Sequence, residues 1–275
     1  MSAIQVLEYS SWHELKRDLF IELFGKSGFR PGRYLFRGMG NADWSLSSSF
    51  DRRFSSLGRD QRLRLWEDLI LEWRRSCEET GVLDAVVRDD QKLWALGQHH
   101  GLPTRLLDWT SSPYVAAFFA FHDWVDQLPA QFSHVVIWAL HLENPVWSKE
   151  MGVEIVTPPA LENIRLRNQS GKFTLSRTPF ATLEEYVDQS ATEPALTKAV
   201  LPASEAVPAL PDLDSMGINN YHLFPDFTGL AKMATMRLLV SRRPGTGEPR
   251  PRRRGQPRRL DRTQETRMTD SRPLP

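Results

Sequence analysis

One cysteine stands in 275 residues, so an internal disulfide is excluded, and Cys77 falls in a helical pattern where an inert thiol is expected. No stretch approaches the roughly 18 consecutive apolar residues of a membrane span, and the apolar run 115–121 is far too short. The first 20 residues show no basic segment leading into an apolar one, so no secretory leader is expected and the chain reads as cytoplasmic. Metal-ligand sets are missing. His99 and His100 are helical neighbours that point about 100° apart, and no cysteine or carboxylate lies at useful spacing. The segment NQSGKFTL lacks the phosphate-loop glycine five residues before Gly171 and has Phe173 where Ser or Thr is required. No Ser or Cys nucleophile has an evident base and orienter, and no internal repeat occurs.

What is present describes a globular chain with a sizeable core: 40% hydrophobic and 25% charged residues, with 9 Trp and 14 Phe. The net charge of +1 hides an asymmetry. Residues 241–275 hold 11 Arg and 4 acidic residues, net +7, which leaves 24 basic and 30 acidic residues, net −6, in 1–240. The basic stretch also has six Pro and three Gly, with Leu260, Met268 and Leu274 as its large aliphatic side chains. It cannot offset chain entropy by burial, so a disordered tail is expected after a domain spanning 4–240. Such a tail either contacts nucleic acid or an acidic partner by counterion release, or is a solvated extension. Duplex binding by the acidic body is disfavoured.

Helices are predicted over 11–24, with Ser10 or Ser11 as N-cap and Glu14 placed for a capping box, and over 59–79, 93–100, 183–187, 207–216 and 226–235. Gly101 and Pro103 stop the helix that ends at His100. Another helix starts at Pro113, capped by Ser111 or Ser112. Strands are predicted at 33–38, 105–110, 134–142, 154–156, 164–167, 172–175 and 198–201, with 40–50 as a polar loop. Helices and strands alternate irregularly. The expected class is therefore α+β, a single domain with a mixed, largely antiparallel sheet flanked by helices.

The run 90–121 concentrates polar residues between apolar ones: Gln98, His99, His100, Thr104, Arg105, Asp108, Trp109 and Thr110. Buried polar groups must be paired, so this density marks an internal network or one wall of a site. Arg37 ends a strand before Gly38. Either its guanidinium reaches a phosphate or carboxylate in a cleft, or it bridges a carboxylate such as Asp108. Gly38 permits close approach of another backbone or a ligand. Asp108 either orients a ligand hydroxyl or pairs with Arg105 or Arg37. The Ser111 and Ser112 amides open a helix N-terminus suited to anions. Gln169, before Gly171, can place an amide in a cleft.

These segments resemble the FRG domain, a bacterial family named for a Phe-Arg-Gly motif that stands here as Phe36-Arg37-Gly38, followed by NADWSL. The central signature corresponds to QHHGLPTRLLDWT over 98–110, with Ser112-Pro113 and Ala117-Phe118-Phe119-Ala120 after it. His100 departs from a more usual Tyr. Similarity continues through Asn163-Ile164-Arg165, 169–174, Met216-Gly217-Ile218 and Leu223-Phe224-Pro225-Asp226, and so covers about 4–232.

The order of motifs is also similar to that of ADP-ribosyltransferases: Arg37 in a short strand, Thr110-Ser111-Ser112 entering a small-residue helix, then Gln169 on a later strand. That similarity implies an ADP-ribosyltransferase-like fold and a nucleotide-like ligand, with NAD as substrate. Arg37, Asp108 and Gln169 would be catalytic. Gln98, His99, Thr104, Arg105, Trp109, Thr110, Ser111, Ser112 and Tyr114 would bind the ligand, the pyrophosphate lying on Arg37 and the Ser111/Ser112 amides and a ring on Trp109 or Tyr114. A carboxylate normally stabilises the oxocarbenium-like state of such chemistry, and Gln169 is not one; Glu154 and Glu162 are the alternatives. The other function class is a non-catalytic recognition module in bacterial stress or phage defence, with Arg37 and Asp108 as a structural pair.

Overall fold

The computed structural model describes residues 2–20, 32–81, 88–126, 132–157 and 168–242. Its organising element is β4 (His134–His141), whose unbroken β-branched and aromatic run is buried from Val135 to Leu140. Around it runs a seven-stranded sheet in the order β1-β7-β4-β2-β3-β6-β5, with β1 (Ile4–Glu8), β2 (Tyr34–Met39), β3 (Leu106–Thr110), β5 (Val153–Val156), β6 (Gly171–Ser176) and β7 (Leu196–Pro202). The β1–β7 pair is parallel and the other five pairs are antiparallel, so the fold is the α+β domain with a mixed, largely antiparallel sheet that the sequence predicts.

Helices cover both faces. On one, α5 (Pro113–Asp126) packs under β2 and β4 together with α7 (Ala206–Ser215) and α9 (Phe227–Ser241), and Phe36, Phe118, Phe121, Ile137 and Leu213 form the core there. Beside it, α2 (Ser49–Arg53), α3 (Arg59–Glu79) and α4 (Asp90–His99) supply Phe50, Trp66 and Trp94 against Leu106, Phe173 and Leu175. On the other face α6 (Leu183–Ser190) adds Tyr186 and Val187 to Leu35, Leu107, Trp109, Trp138 and Leu140.

Some elements depart from expectation. The first helix is an α-turn, α1 (Trp12–Leu15), that continues as a π-helix over Lys16–Phe20; residues 21–24 lie outside the described residues. Ser11 Oγ accepts from the Glu14 N–H at 3.2 Å, but the Glu14 carboxylate reaches back to Ser10, accepting its N–H at 2.7 Å and its hydroxyl at 2.6 Å. Strand β1 and the short helices α2 and α8 (Asn220–Leu223) carry too few residues for a periodic signal. The strand predicted at 164–167 lies outside the described residues, as do all but the first two residues of the 241–275 segment for which disorder is predicted. Among the described residues, no helix is long and apolar enough to cross a membrane.

Candidate functional site

Two adjacent strands of the sheet barely touch. Strands β2 and β3 share one paired position, Phe36 opposite Thr110, whereas β2 pairs with β4 over six positions and β3 with β6 over five. The ladder opens beyond that pair and leaves a fork. On the α5 side, β2 presents Phe36 and Gly38. A Cβ on Gly38 would overlap the Ala116 carbonyl and lie 2.7 Å from the Ala120 nitrogen, so this glycine exists to let the helix backbone against the strand. Arg37 stands between them in the alternation, and its guanidinium crosses the fork, Nη1 donating to the Asp108 carbonyl oxygen at 2.6 Å.

A cavity of about 270 Å³ occupies the fork, lined by Phe36, Arg37, Gly38, Asp108, Trp109, Thr110, Phe119, Asp123, Gln169 and Phe224. Arg37 keeps 22% of its side chain exposed and Asp108 keeps 62%; their charged groups stand 3.7 Å apart. The two form an ion pair that stays open to solvent through the exposed Asp108. Burial is the main influence on Arg37 and pulls its pKa below the ordinary arginine value, against the favourable charges of Asp108 and Asp123. Its Nε is buried without a hydrogen-bond partner among the described residues.

Asp108 is held from behind. Gln98 Nε2 donates to Asp108 Oδ1 at 2.8 Å, and Gln98 Oε1 accepts from the Thr104 hydroxyl at 2.7 Å. Because the Leu106 N–H also approaches Thr104 Oγ1, at 3.4 Å, the hydroxyl proton is directed to Gln98, which orients the amide toward Asp108. Gln169, at the start of the β6 region, donates from Nε2 to the Leu223 carbonyl at 3.4 Å, and Asn168 donates to the His222 carbonyl at 2.6 Å. These bonds join the 168–170 turn to α8 and bring Phe224 to the cavity.

Of the residues singled out in the sequence, Arg37, Asp108, Gln169, Trp109 and Thr110 line the cavity, and Gln98 and Thr104 stand behind Asp108. The others are elsewhere. Arg105 is 2% exposed and bound to Asp51 by two bonds at 3.1 and 3.2 Å, with further bonds to the Thr178 and Phe180 carbonyls. It is a core ion pair. Tyr114 packs edge-on against Trp12 in the α5 core, and His99 meets His100 edge-on at the exposed end of α4. Ser111 donates its N–H to the Ser170 carbonyl, Ser112 donates its N–H to Thr110 Oγ1, and Ser112 Oγ caps the Val115 N–H. The amides proposed for an anion are thus engaged within the protein. Trp109 borders the cavity but is 3% exposed and donates Nε1 to Thr174 Oγ1, so its indole packs in the core of the α6 face and offers no stacking surface to a ligand. Glu154 is bonded to Arg177 at 3.0 Å on the outer strands, and Glu162 lies outside the described residues.

Sequence reasoning missed Asp123 and the roles of Phe119 and Phe224. The signal was present for two of them: Phe119 and Asp123 are four residues apart, one helical face, and Asp123 is an acid following an otherwise apolar run.

No curated protein and no solved structure matches the chain. A family model does match, over residues 32–127, a span that holds β2, β3, α5 and both arms of the fork but neither Gln169 nor Phe224. Residues 32–127 match the model of the FRG domain, and the Phe36-Arg37-Gly38 motif stands near the start of that span.

Proposed function

We propose that the fork pocket is the ligand site of a cytosolic FRG-domain protein and takes a nucleotide-like molecule, NAD being the substrate and transfer or hydrolysis of ADP-ribose the reaction. One observation carries this reading: Arg37, Asp108 and Gln169, from three separate segments, converge on one cavity. The cavity is slightly smaller than the roughly 300–1,000 Å³ usual for small-molecule sites, so it would enclose the reacting part of a dinucleotide and leave the rest outside.

On this reading Arg37 pairs with a pyrophosphate oxygen. Phe36, Phe119 and Phe224 give a flat ring an apolar wall. The bond between ribose C1′ and the nicotinamide nitrogen breaks with its electron pair going to nicotinamide, which leaves neutral. Positive charge then develops on C1′ and the ring oxygen, and a nearby carboxylate stabilises it. Gln169 cannot supply that charge, whereas Asp108 and Asp123 line the same cavity. Water or an acceptor hydroxyl adds to C1′ and gives its proton to one of these carboxylates.

The test is the purified chain with NAD, beside Arg37→Ala and Gln169→Ala. A raised melting temperature with release of nicotinamide, both lost in the folded variants, is the expected result. Stabilisation without release reduces the reading to binding, and no response from folded wild-type chain removes NAD altogether.

The bond from Arg37 to the Asp108 carbonyl favours a second reading, a non-catalytic recognition module in bacterial stress or phage defence in which Arg37 braces the fork. Arg37→Ala would then cost about 1.5–3 kcal/mol of stability, the range for a charged hydrogen bond, with no ligand response to lose.

A further inference from the structure

A second cavity, of about 490 Å³, opens where β1, β7 and the start of β4 meet the loop after β2. It shares no lining residue with the fork pocket. Val6 and Val200 give it apolar surface, and two acidic and two basic side chains line it: Glu8, Asp43, His134 and Lys198. Among the described residues none of the four makes an ion pair.

Three of them are held in place. Asn41 is 4% exposed and its Oδ1 accepts the Asp43 N–H at 2.9 Å, while Ala42 donates its N–H to the His134 carbonyl at 3.0 Å. The NADWSL segment, which the fork pocket leaves unexplained, is thereby tied to the start of β4 with Asp43 on the cavity wall. His134 Nδ1 bonds Ser133 Oγ at 2.8 Å. Lys198 lies opposite Trp138 in the β4–β7 ladder, its ammonium 5.5 Å from the indole centroid. A half-buried lysine ordinarily finds a carboxylate. Glu184 feels the Lys198 charge, but both its oxygens are on the Leu46 amide.

We infer that this cavity is a second ligand site, for a small amphoteric molecule of the amino-acid or short-peptide type, with its carboxylate on Lys198 and its ammonium toward Glu8 and Asp43. The order of charges decides the class. Lys198 is half-buried, whereas Glu8 and Asp43 are exposed. A phosphate or dicarboxylate brings excess negative charge beside two carboxylates. A simple amine meets the like charge of Lys198. A molecule with one charge of each sign satisfies both ends, and Val6 and Val200 accept a short aliphatic side chain. The assignment does not depend on what the fork pocket binds.

Amide NMR titration of the full chain with L-valine and with L-valyl-L-alanine tests it, alongside the N-acetylated and C-amidated dipeptides. Saturable shifts at Asp43, His134 and Lys198 are expected with at least one of the two parent probes; which of them binds separates a free amino acid from a peptide. Loss of one charge contact by C-amidation, or by Lys198→Met, should weaken binding at least about tenfold. Lys198→Arg should retain binding, which separates the charge from any effect on folding. The paired Glu8→Gln, Asp43→Asn change should weaken the parent probe and leave the N-acetylated one unaffected. Absence of saturable shifts at millimolar probe, equal affinity in Lys198→Met, or shifts confined to the fork pocket would each overturn the assignment.

Discussion

Arg105 and Arg37 are both conspicuous arginines in the sequence, and their surroundings make them opposites. Arg105 spends its donors on Asp51 and two carbonyls inside the protein, and Asp51 is further held by the Ser48 hydroxyl at 2.6 Å and by Arg62 at 3.7 Å. Removing one partner of such a pair leaves a buried charge, so Arg105→Met should destabilise the fold by about 3–5 kcal/mol in urea titration. A loss below about 1 kcal/mol, the range of surface pairs, would contradict that picture. The sequence could not separate the two arginines, because Asp51 is 54 residues from Arg105 and nothing local announces it. His141 offers a pH test at the same scale. Burial, aided by the Arg33 charge, holds its pKa below the ordinary 6.5, and its Nε2 shares a 2.8 Å bond with Thr197 Oγ1. The unfolded chain therefore takes up a proton near pH 6.5 that the folded chain refuses. The contribution of His141 is fully present above that value and is lost as pH falls through it toward the lower folded pKa. His141→Gln should flatten the decline of stability between about pH 7 and pH 5, and an unchanged slope would show that the imidazole titrates alike in both states.

At the scale of elements, the motif that gives the FRG domain its name divides its work. Phe36 is core, Arg37 faces the fork, and Gly38 is the contact point of β2 with α5. The small residues of α5 belong to the same contact: Ala116, Ala117 and Ala120 are fully buried, which lets the helix lie close to the strand. Gly38→Ala should cost at least about 1–3 kcal/mol, because the clash is with backbone and no rotamer relieves it. It should also raise hydrogen exchange in α5 more than in α3, which packs against other strands. Equal destabilisation of both helices would mean that the clash is absorbed elsewhere. Most long elements were legible from periodicity and caps: Arg59–Glu79 agrees end to end, and Gly101, at φ +88°, stops α4 at the predicted place. The β1 strand was not, since its partner is β7, almost 200 residues on, and its own pattern is half-exposed without clean alternation. The convergence of Asp108 and Gln169 was legible only through the order of motifs. Which face each residue of 98–114 takes depends on where strand β3 lies, and single-sequence patterning does not supply that.

Over the whole molecule, the fork divides one sheet into two blocks, β1-β7-β4-β2 and β3-β6-β5, joined by the Phe36–Thr110 pair, by the Arg37 bond to Asp108 and by side chains on the α6 face. Each block has its own helical cover on the other face, α5, α7 and α9 for the first and α2 to α4 for the second. Backbone pairing is the usual carrier of cooperativity across a sheet, and here it is reduced to its minimum at the very place where the pocket lies. A ligand bridging Arg37 and Asp108 would therefore act as a cross-link between blocks as well as an occupant. At 100-fold excess over its Kd it adds about 2.7 kcal/mol to the stability of whatever opens when it leaves. Native-state hydrogen exchange separates the alternatives. If the blocks open separately, Arg37→Ala should lower protection in Leu106–Thr110 and Gly171–Ser176 while leaving His134–His141 and Leu196–Pro202 at the global value. Uniform loss across all four strands would mean that the shared α6-side core, with Leu107 and Trp109 packed beside Leu35 and Trp138, already makes the two blocks a single cooperative unit, and that the fork is a pocket and not a joint.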